Sequence, residues 1–340
     1  MRSARLALAF PDGAPGRTLL IGAEGGEDLS VFDPARTLVV ETMAHHHAAL
    51  KARGFSLATE IPETGPDGAG GAPAPFDTAL VTLPRSRNAA RARIASAAAR
   101  LAPDGMLWID GQKTDGIESL LKEMRGMTGI AELHSKAHGK IARLADPGAI
   151  PPGWTGAALS PAPGFTTRPG LFSAEAVDPG SAALAAALPQ KLPTRIVDLG
   201  AGWGWLSAQI LQHPGVETLH LVEADHVALS CARINVTDPR AQFHWQDARQ
   251  FRLPDPVNGV IMNPPFHQGR AADPGLGAAF IGAAAGLLTG AGRLWMVANR
   301  HLPYEAELAK HFSDVSEIGG DTRFKILSAT GAGARNRRRR

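Results

Sequence analysis

Apolar positions along this chain fall into short runs that alternate with glycine turns and with longer stretches of helical spacing. In the C-terminal half, Arg195-Ile196-Val197-Asp198-Leu199 is a β-type run, followed by glycines and a helical stretch through Leu211. Residues 219–223 form the next strand pattern, 227–236 a helix, 259–262 a buried strand, 278–288 an Ala-rich helix and 293–297 a further strand. Strand patterns separated by helical ones predict βαβ units and a doubly wound, mostly parallel sheet, which is an α/β class.

The N-terminal half repeats this order. Thr18-Leu19-Leu20-Ile21-Gly22 parallels 196–200, and Leu38-Val39-Val40-Glu41 parallels Leu221-Val222-Glu223. Ala79-Leu80-Val81-Thr82-Leu83-Pro84 parallels 260–265, and Met106-Leu107-Trp108-Ile109 parallels Arg293-Leu294-Trp295-Met296. The spacing agrees as well, 43 positions from Glu41 to Pro84 and 42 from Glu223 to Pro265. Matches in order at matched intervals point to a duplicated fold. The copies diverge at their loops. The first carries Gly22-Ala23-Glu24-Gly25-Gly26, with a carboxylate in the turn, and Thr-Leu-Pro where the second has Asn-Pro-Pro. The first copy is therefore expected to be degenerate and the second to carry the chemistry.

Between Pro147 and Gly170, 11 of 24 residues are Pro or Gly, too many for regular structure to persist. The expected organisation is a degenerate unit over 1–146, a Pro/Gly-rich linker over 147–168, a catalytic unit over 169–330 and a basic tail over 331–340. A second Pro/Gly run, from Pro62 to Pro75, reads as an insertion within the first unit.

Composition narrows the class. Of 340 residues 44% are hydrophobic and 20% charged, which excludes a disordered chain. No apolar stretch reaches the roughly 18 residues of a membrane span. The N-terminal apolar run stops at Pro11-Asp12-Gly13, too early for a leader peptide. The single cysteine, Cys231, excludes an internal disulfide and fits a reducing compartment, so a cytoplasmic protein is expected. The net charge of +3 is a property of the tail, since five of the last six residues are Arg. Without them 30 basic residues face 32 acidic ones, a balance of −2. That tail, with Arg337 and Arg338, suits phosphate binding, and a solvated end reads the same way. A second basic cluster holds Arg85, Arg87, Arg91, Arg93 and Arg100 with no acid between its ends, so RNA contact is expected there too. The run His45-His46-His47 lacks partners at ligand spacing, and no metal is expected.

The candidate chemistry lies in the second half. Asp198-Leu199-Gly200-Ala201-Gly202-Trp203-Gly204 closes a strand and opens a helix, where glycines let the backbone turn sharply and approach a ligand. Its Gly-x-Gly-x-Gly spacing differs from the dinucleotide pattern. Glu223 closes the next strand, placed to bind both hydroxyls of a ribose, and Asp247 follows the strand after that, placed to accept from an adenine amino group. Either acid in a helix N-cap or a surface turn gives the same pattern. Asn263-Pro264-Pro265-Phe266-His267 then follows the buried strand 260–262, at the carboxyl edge of the sheet where such folds bind ligands. There the Asn263 side-chain oxygen and the Pro264 carbonyl can accept from one –NH2 group, while Phe266 offers a face for a planar base.

These residues resemble the motifs of class I S-adenosylmethionine-dependent methyltransferases acting on exocyclic amines. More closely, Pro169-Gly170-Leu171-Phe172-Ser173, Asp178-Pro179-Gly180-Ser181, 263–269, 298–304 and Thr322-Arg323-Phe324-Lys325 resemble the ribosomal RNA guanine-N2 methyltransferases with tandem domains. The resemblance is strong over 165–330. It is weak over 1–146, where it rests on architecture and on Gly111-Gln112-Lys113-Thr114-Asp115-Gly116. It implies two tandem Rossmann-like methyltransferase domains and S-adenosylmethionine held by Asp198, Gly200, Ala201, Gly202, Glu223, Asp247 and Asn263. Catalysis would fall to Asn263, Pro264 and Phe266. The implied reaction is methylation of a guanine N2 in 16S ribosomal RNA, within the 30S subunit, by a monomer. Rival targets of the same loop are 23S guanine N2, adenine N6 and a protein glutamine amide. A non-catalytic RNA-binding assembly factor is the rival of another class. The Pro/Gly insertion and the Arg tail depart from the family pattern and leave the substrate less fixed than the reaction.

Overall fold

The computed structural model describes residues 2–63, 74–265, 267–268, 271–272 and 274–333. The chain divides into two compact units, Met1–Ala158 with Arg168–Gly170, and Leu159–Thr167 with Leu171–Arg340.

In the first unit, strands β1 (Thr18–Ile21), β2 (Thr37–Val40), β3 (Ser56–Ala58), β4 (Phe76–Thr82), β5 (Leu101–Gln112), β6 (Ile130–Lys136) and β7 (Gly139–Leu144) form one sheet in the order β3-β2-β1-β4-β5-β7-β6. Helices α1 (Ser3–Ala9), α2 (Ala44–Ala52), α3 (Arg87–Ala98) and α4 (Ile117–Met127) accompany it. The second unit repeats the arrangement. Strands β8 (Arg195–Leu199), β9 (Thr218–Glu223), β10 (Ala241–Trp245), β11 (Val257–Met262), β14 (Leu288–Asn299), β15 (Asp314–Gly320) and β16 (Phe324–Thr330) are ordered β10-β9-β8-β11-β14-β16-β15. A short antiparallel pair, β12 (His267–Gln268) with β13 (Ala271–Ala272), precedes helix α8 (Pro274–Leu287). The remaining helices are α5 (Pro179–Ala187), α6 (Trp205–Ile210), α7 (His226–Asn235) and α9 (Tyr304–His311).

In the second sheet strand polarity is parallel from β10 through β14 and antiparallel where β16 meets β14 and β15. The central strands are buried on both faces, which is why they read as continuous apolar runs. Successive side chains alternate between two cores. Val197, Val260, Met262, Leu294 and Met296 pack with Phe280, Ile281 and Leu287 of α8 and Leu308 of α9. Ile196, Ile261, Trp295 and Val297 pack instead with Leu184 of α5, Leu206 and Ile210 of α6 and Ala232 of α7.

The edges were less legible. Strands β6 and β15 carry no apolar run, because most of their residues face solvent and the rest are only half-buried. Polar edge strands of this kind resist pairing with other chains. In the Pro/Gly-rich stretch, the regular structure is a single helical turn at Pro147–Ala149 and an isolated bridge between Leu159 and Thr167.

Strand order reverses between β9-β8 and β11-β14, with β8 and β11 adjacent. Chains that leave these two strands at their carboxyl ends diverge, and the crevice between them is where doubly wound sheets take ligands. The glycine turn after β8 and the Asn-Pro-Pro segment after β11 both lie at that crevice.

Candidate active site

The turn after β8 relies on glycine. Gly200, Gly202 and Gly204 have φ of +86°, +56° and +89°, the left-handed region that other residues enter at a cost. A Cβ at Gly204 would lie 3.0 Å from Val236 and 3.1 Å from Ala232, so a side chain there would push the helix start away from α7. A Cβ at Gly202 would meet nothing within 4 Å, so this glycine faces open space. Asn235 of α7 clamps the turn, donating to the carbonyls of Trp203 (2.7 Å) and Thr166 (2.8 Å) and accepting from the Thr166 N–H (2.8 Å).

The two acids of the first two strands are tied into this turn. Glu223, at the end of β9, accepts from the Gly202 N–H (2.9 Å) and the Asp225 N–H (2.8 Å). Burial pushes its carboxyl above the ordinary range, against the pull of those two N–H groups. A carboxylate has about four acceptor positions, and the Ala224 N–H also bears on this one, so acceptor room remains without being open on every side. Asp198 is fully buried in β8, and its Oδ2 accepts from the Ser207 hydroxyl at 2.5 Å. Burial pushes this carboxyl up to about 7, the Ser207 bond opposes that, and the nearby Glu223 charge adds to it. Its Oδ1 is buried with no hydrogen-bond partner. A buried acceptor of this kind is costly until a donor reaches it.

Asp247 follows β10 as expected but is not an open carboxylate. Its oxygens accept from Arg249 through the backbone N–H (2.9 Å), Nε (2.9 Å) and Nη2 (2.5 Å). A neighbour two residues on forms a fork pair that the sequence pattern did not signal.

Asn263, the first residue after β11, is held from behind. Its Nδ2 donates to Asp178 Oδ2 and to Ser181 Oγ, both at 2.8 Å. Asp178 is the N-cap of α5, accepting from the Ser181 N–H at 2.7 Å, with Pro179 in the first turn. Pro264 is buried and Pro265 exposed. Asn263, Asp178, Ser181, the glycine turn 200–203 and Phe172 line one cavity, which also takes in Trp205 and Leu206. Phe172 is 66% exposed at this cavity, and its carbonyl accepts from Trp203 Nε1 at 3.0 Å. Phe266, and with it the expected stacking face, lies outside the described residues.

The sequence places Asp178, Ser181 and Phe172 in family-like motifs and assigns them no role. The local signal for the first two was an Asp-Pro-Gly-Ser helix start, which says where a helix begins but not what else its cap touches.

The basic cluster departs from the expected open patch. Arg87 (2.9 Å) and Arg91 both donate to Glu123 of α4, and the Arg91 guanidinium also lies 5.0 Å from the Trp154 ring. Arg93 turns inward, donating to the Thr82 carbonyl at 3.3 Å, with Nη1 2.6 Å from where a Gly22 Cβ would stand. An acid distant in sequence but adjacent in the fold neutralises charges that looked unopposed along the chain. Arg85 is exposed. Arg337 and Arg338 lie outside the described residues. Among the described residues no group of three metal-ligating side chains is present, and no helix is long and apolar enough to cross a membrane.

The first unit keeps the frame of the site, with its turn tied down by side chains. Gly22 has φ of +81° after β1, and buried Glu41 after β2 accepts from the Thr42 (2.9 Å) and Met43 (2.8 Å) N–H groups. The turn is stitched by Arg2 to Glu27 (2.9 Å) and by Arg53 to the carbonyls of Gly25 (3.0 Å) and Glu27 (2.9 Å).

Comparison with known proteins places this geometry. The methyltransferase small domain family model matches residues 163–328. A ribosomal RNA small subunit methyltransferase C of Shewanella halifaxensis is 30% identical over 273 residues, covering 74% of this chain and 77% of the relative. The protein of the same name from Hahella chejuensis is 27% identical over 300 residues, 85% of this chain and 87% of that one. Among solved structures, a T. thermophilus N2 methyltransferase of guanine 1207 in 16S rRNA, in complex with AdoMet and guanosine, superposes with a TM-score of 0.79. It is 24% identical and the match covers 97% of this chain and 92% of that one, a likeness of fold across both units.

Proposed function

This chain belongs to the small-subunit ribosomal RNA methyltransferase C family, and from that premise we propose that it methylates the exocyclic N2 amine of a guanine in 16S ribosomal RNA, with S-adenosylmethionine as donor. The observation that carries the reading is the Asn263 amide, whose two N–H groups point at Asp178 and Ser181 and whose oxygen is therefore left for the cavity. The names of the relatives support the RNA substrate, and the guanosine in the T. thermophilus structure supports the base.

The residues present fit the donor. Glu223 keeps acceptor room for ribose hydroxyls, Gly202 leaves open space, and Asp198 Oδ1 waits for a donor that a cationic amino-acid end supplies. Asp247 serves an adenine amino group only by sharing the oxygens that Arg249 now holds. When bound, S-adenosylmethionine supplies an activated sulfonium methyl, so alignment is the main task of the protein. A guanine N2 amine is a weak nucleophile because its lone pair is delocalised into the ring. Accepting its two N–H bonds at Asn263 Oδ1 and the Pro264 carbonyl localises that pair and meets the positive charge that grows on nitrogen. Phe266 would stack on the base, which must leave any helical stack to reach this cavity. On this reading the protein is a cytoplasmic monomer that works on the 30S subunit. Its second unit is catalytic, its first unit supports structure or RNA recognition, and Arg85, with Arg337 and Arg338, offers positive charge to RNA.

Replacing Asn263 with Ala should lower single-turnover methyl transfer by about 10² or more, while calorimetry shows S-adenosylmethionine binding nearly unchanged. An N263A chain that transfers at the wild-type rate would remove the assignment.

A further inference from the structure

We propose that Asp178 and Ser181 are positioning residues for this reaction, fixing the Asn263 amide so that its oxygen, and not its nitrogen, meets the substrate amine. The inference rests on the role given to Asn263 above. An asparagine amide presents one acceptor and two donors, and which end faces a ligand is set by what the other end touches. Here both contacts are on Nδ2, at 2.8 Å to Asp178 Oδ2 and 2.8 Å to Ser181 Oγ. A carboxylate only accepts. Turning the amide over would bring Oδ1 against Asp178 Oδ2, acceptor against acceptor, and would aim an N–H group at the incoming N–H groups of the substrate.

The same Asp178 oxygen accepts from the Ser181 N–H at 2.7 Å, so one atom both caps α5 and reaches the loop after β11. Gly180 makes the close fit feasible, since a Cβ there would stand 3.0 Å from Asp178 Oδ2. A side chain at that position would press on the oxygen that holds Asn263. The charge of Asp178 adds a second effect. Donation to an anion polarises the amide, and polarised hydrogen-bond chains strengthen their far end. Asn263 Oδ1 thereby becomes a better acceptor for nitrogen as it turns positive, with a fixed negative charge behind it.

Two variants separate this role from helix capping. S181A removes one partner of the amide and leaves the backbone cap intact. D178N preserves cap and shape, because Asn caps as well as Asp, and removes the charge. With the full chain, saturating S-adenosylmethionine and 30S subunits, each should slow single-turnover transfer about tenfold or more, and S181T should recover most of the S181A loss. In an N263A background neither should slow the reaction further, because the group they act through is gone. Losses that persist undiminished beside N263A, or a matching loss of S-adenosylmethionine affinity in S181A and D178N by calorimetry, would overturn the inference and leave the role of Asn263 standing. A wild-type rate for N263A alone would instead overturn both.

Discussion

Asp198 shows how one residue couples site and stability. Its carboxyl is pushed up to about 7 by burial, while in the unfolded chain it returns to an ordinary 3.8. Between those values the folded, ligand-free chain holds a proton that the unfolded chain does not, so its stability falls as pH rises through that window. Glu223 is shifted in the same direction by burial. D198N should flatten part of this slope. Thermal melts of the ligand-free chain between about pH 5 and pH 8 should show the stability of wild type declining relative to D198N. Parallel curves for the two proteins would contradict the shift. At this scale the sequence was legible wherever a side chain holds a fixed place at the end of a buried strand, as with Asp198, Glu223 and Asn263. It was opaque wherever the partner is internal. Arg249 on Asp247, Asp178 on Asn263 and Glu123 on Arg87 and Arg91 each depend on a contact that spacing does not announce.

At the scale of elements, the buried strands were readable because burial on both faces demands unbroken apolar runs; the termini matched at Arg195–Leu199, while β5 and β14 extend several residues beyond the runs 106–109 and 293–297. Helix α1 was not readable, because the interaction that seats it is ionic. Arg5 is fully buried, donates to Asp110 Oδ1 at 2.5 Å and Oδ2 at 2.9 Å, and Arg2 adds a third bond to the same carboxylate at 3.0 Å. In the sequence, Arg2 and Arg5 looked like the charged start of an apolar run. Removing one partner of a buried pair leaves the other charge unpaired, at a cost of about 3–5 kcal/mol. D110A should therefore lose stability on that scale in urea unfolding of the full chain. A loss of less than about 1 kcal/mol, the value of an exposed pair, would mean that α1 is held by its apolar face alone.

Across the whole molecule, the two sheets share one strand order, and this was foreseeable from matched intervals between strand ends. What separates the units lies outside the shared sheets, in the loops and in helices such as α6 between β8 and β9, where the first unit has the short helical turn Pro34–Arg36 between β1 and β2. One has a glycine turn that opens on a cavity beside Asn263. The other has Thr82 in the place of the asparagine, with Arg93 lodged against its carbonyl and against Gly22. Duplication preserved the apolar frame, whose packing tolerates little change, and left the loops free to diverge. The family comparison and the oriented amide both support the proposed methylation of an RNA amine by the second unit.

The most direct test is transfer of a tritiated methyl group from S-adenosylmethionine, offered in parallel to 30S subunits, 50S subunits, naked ribosomal RNA and total protein. Label in 16S RNA that digests to N2-methylguanosine is the predicted result. Label confined to 50S RNA, to adenine or to protein, or no label with S-adenosylmethionine still bound, would contradict it.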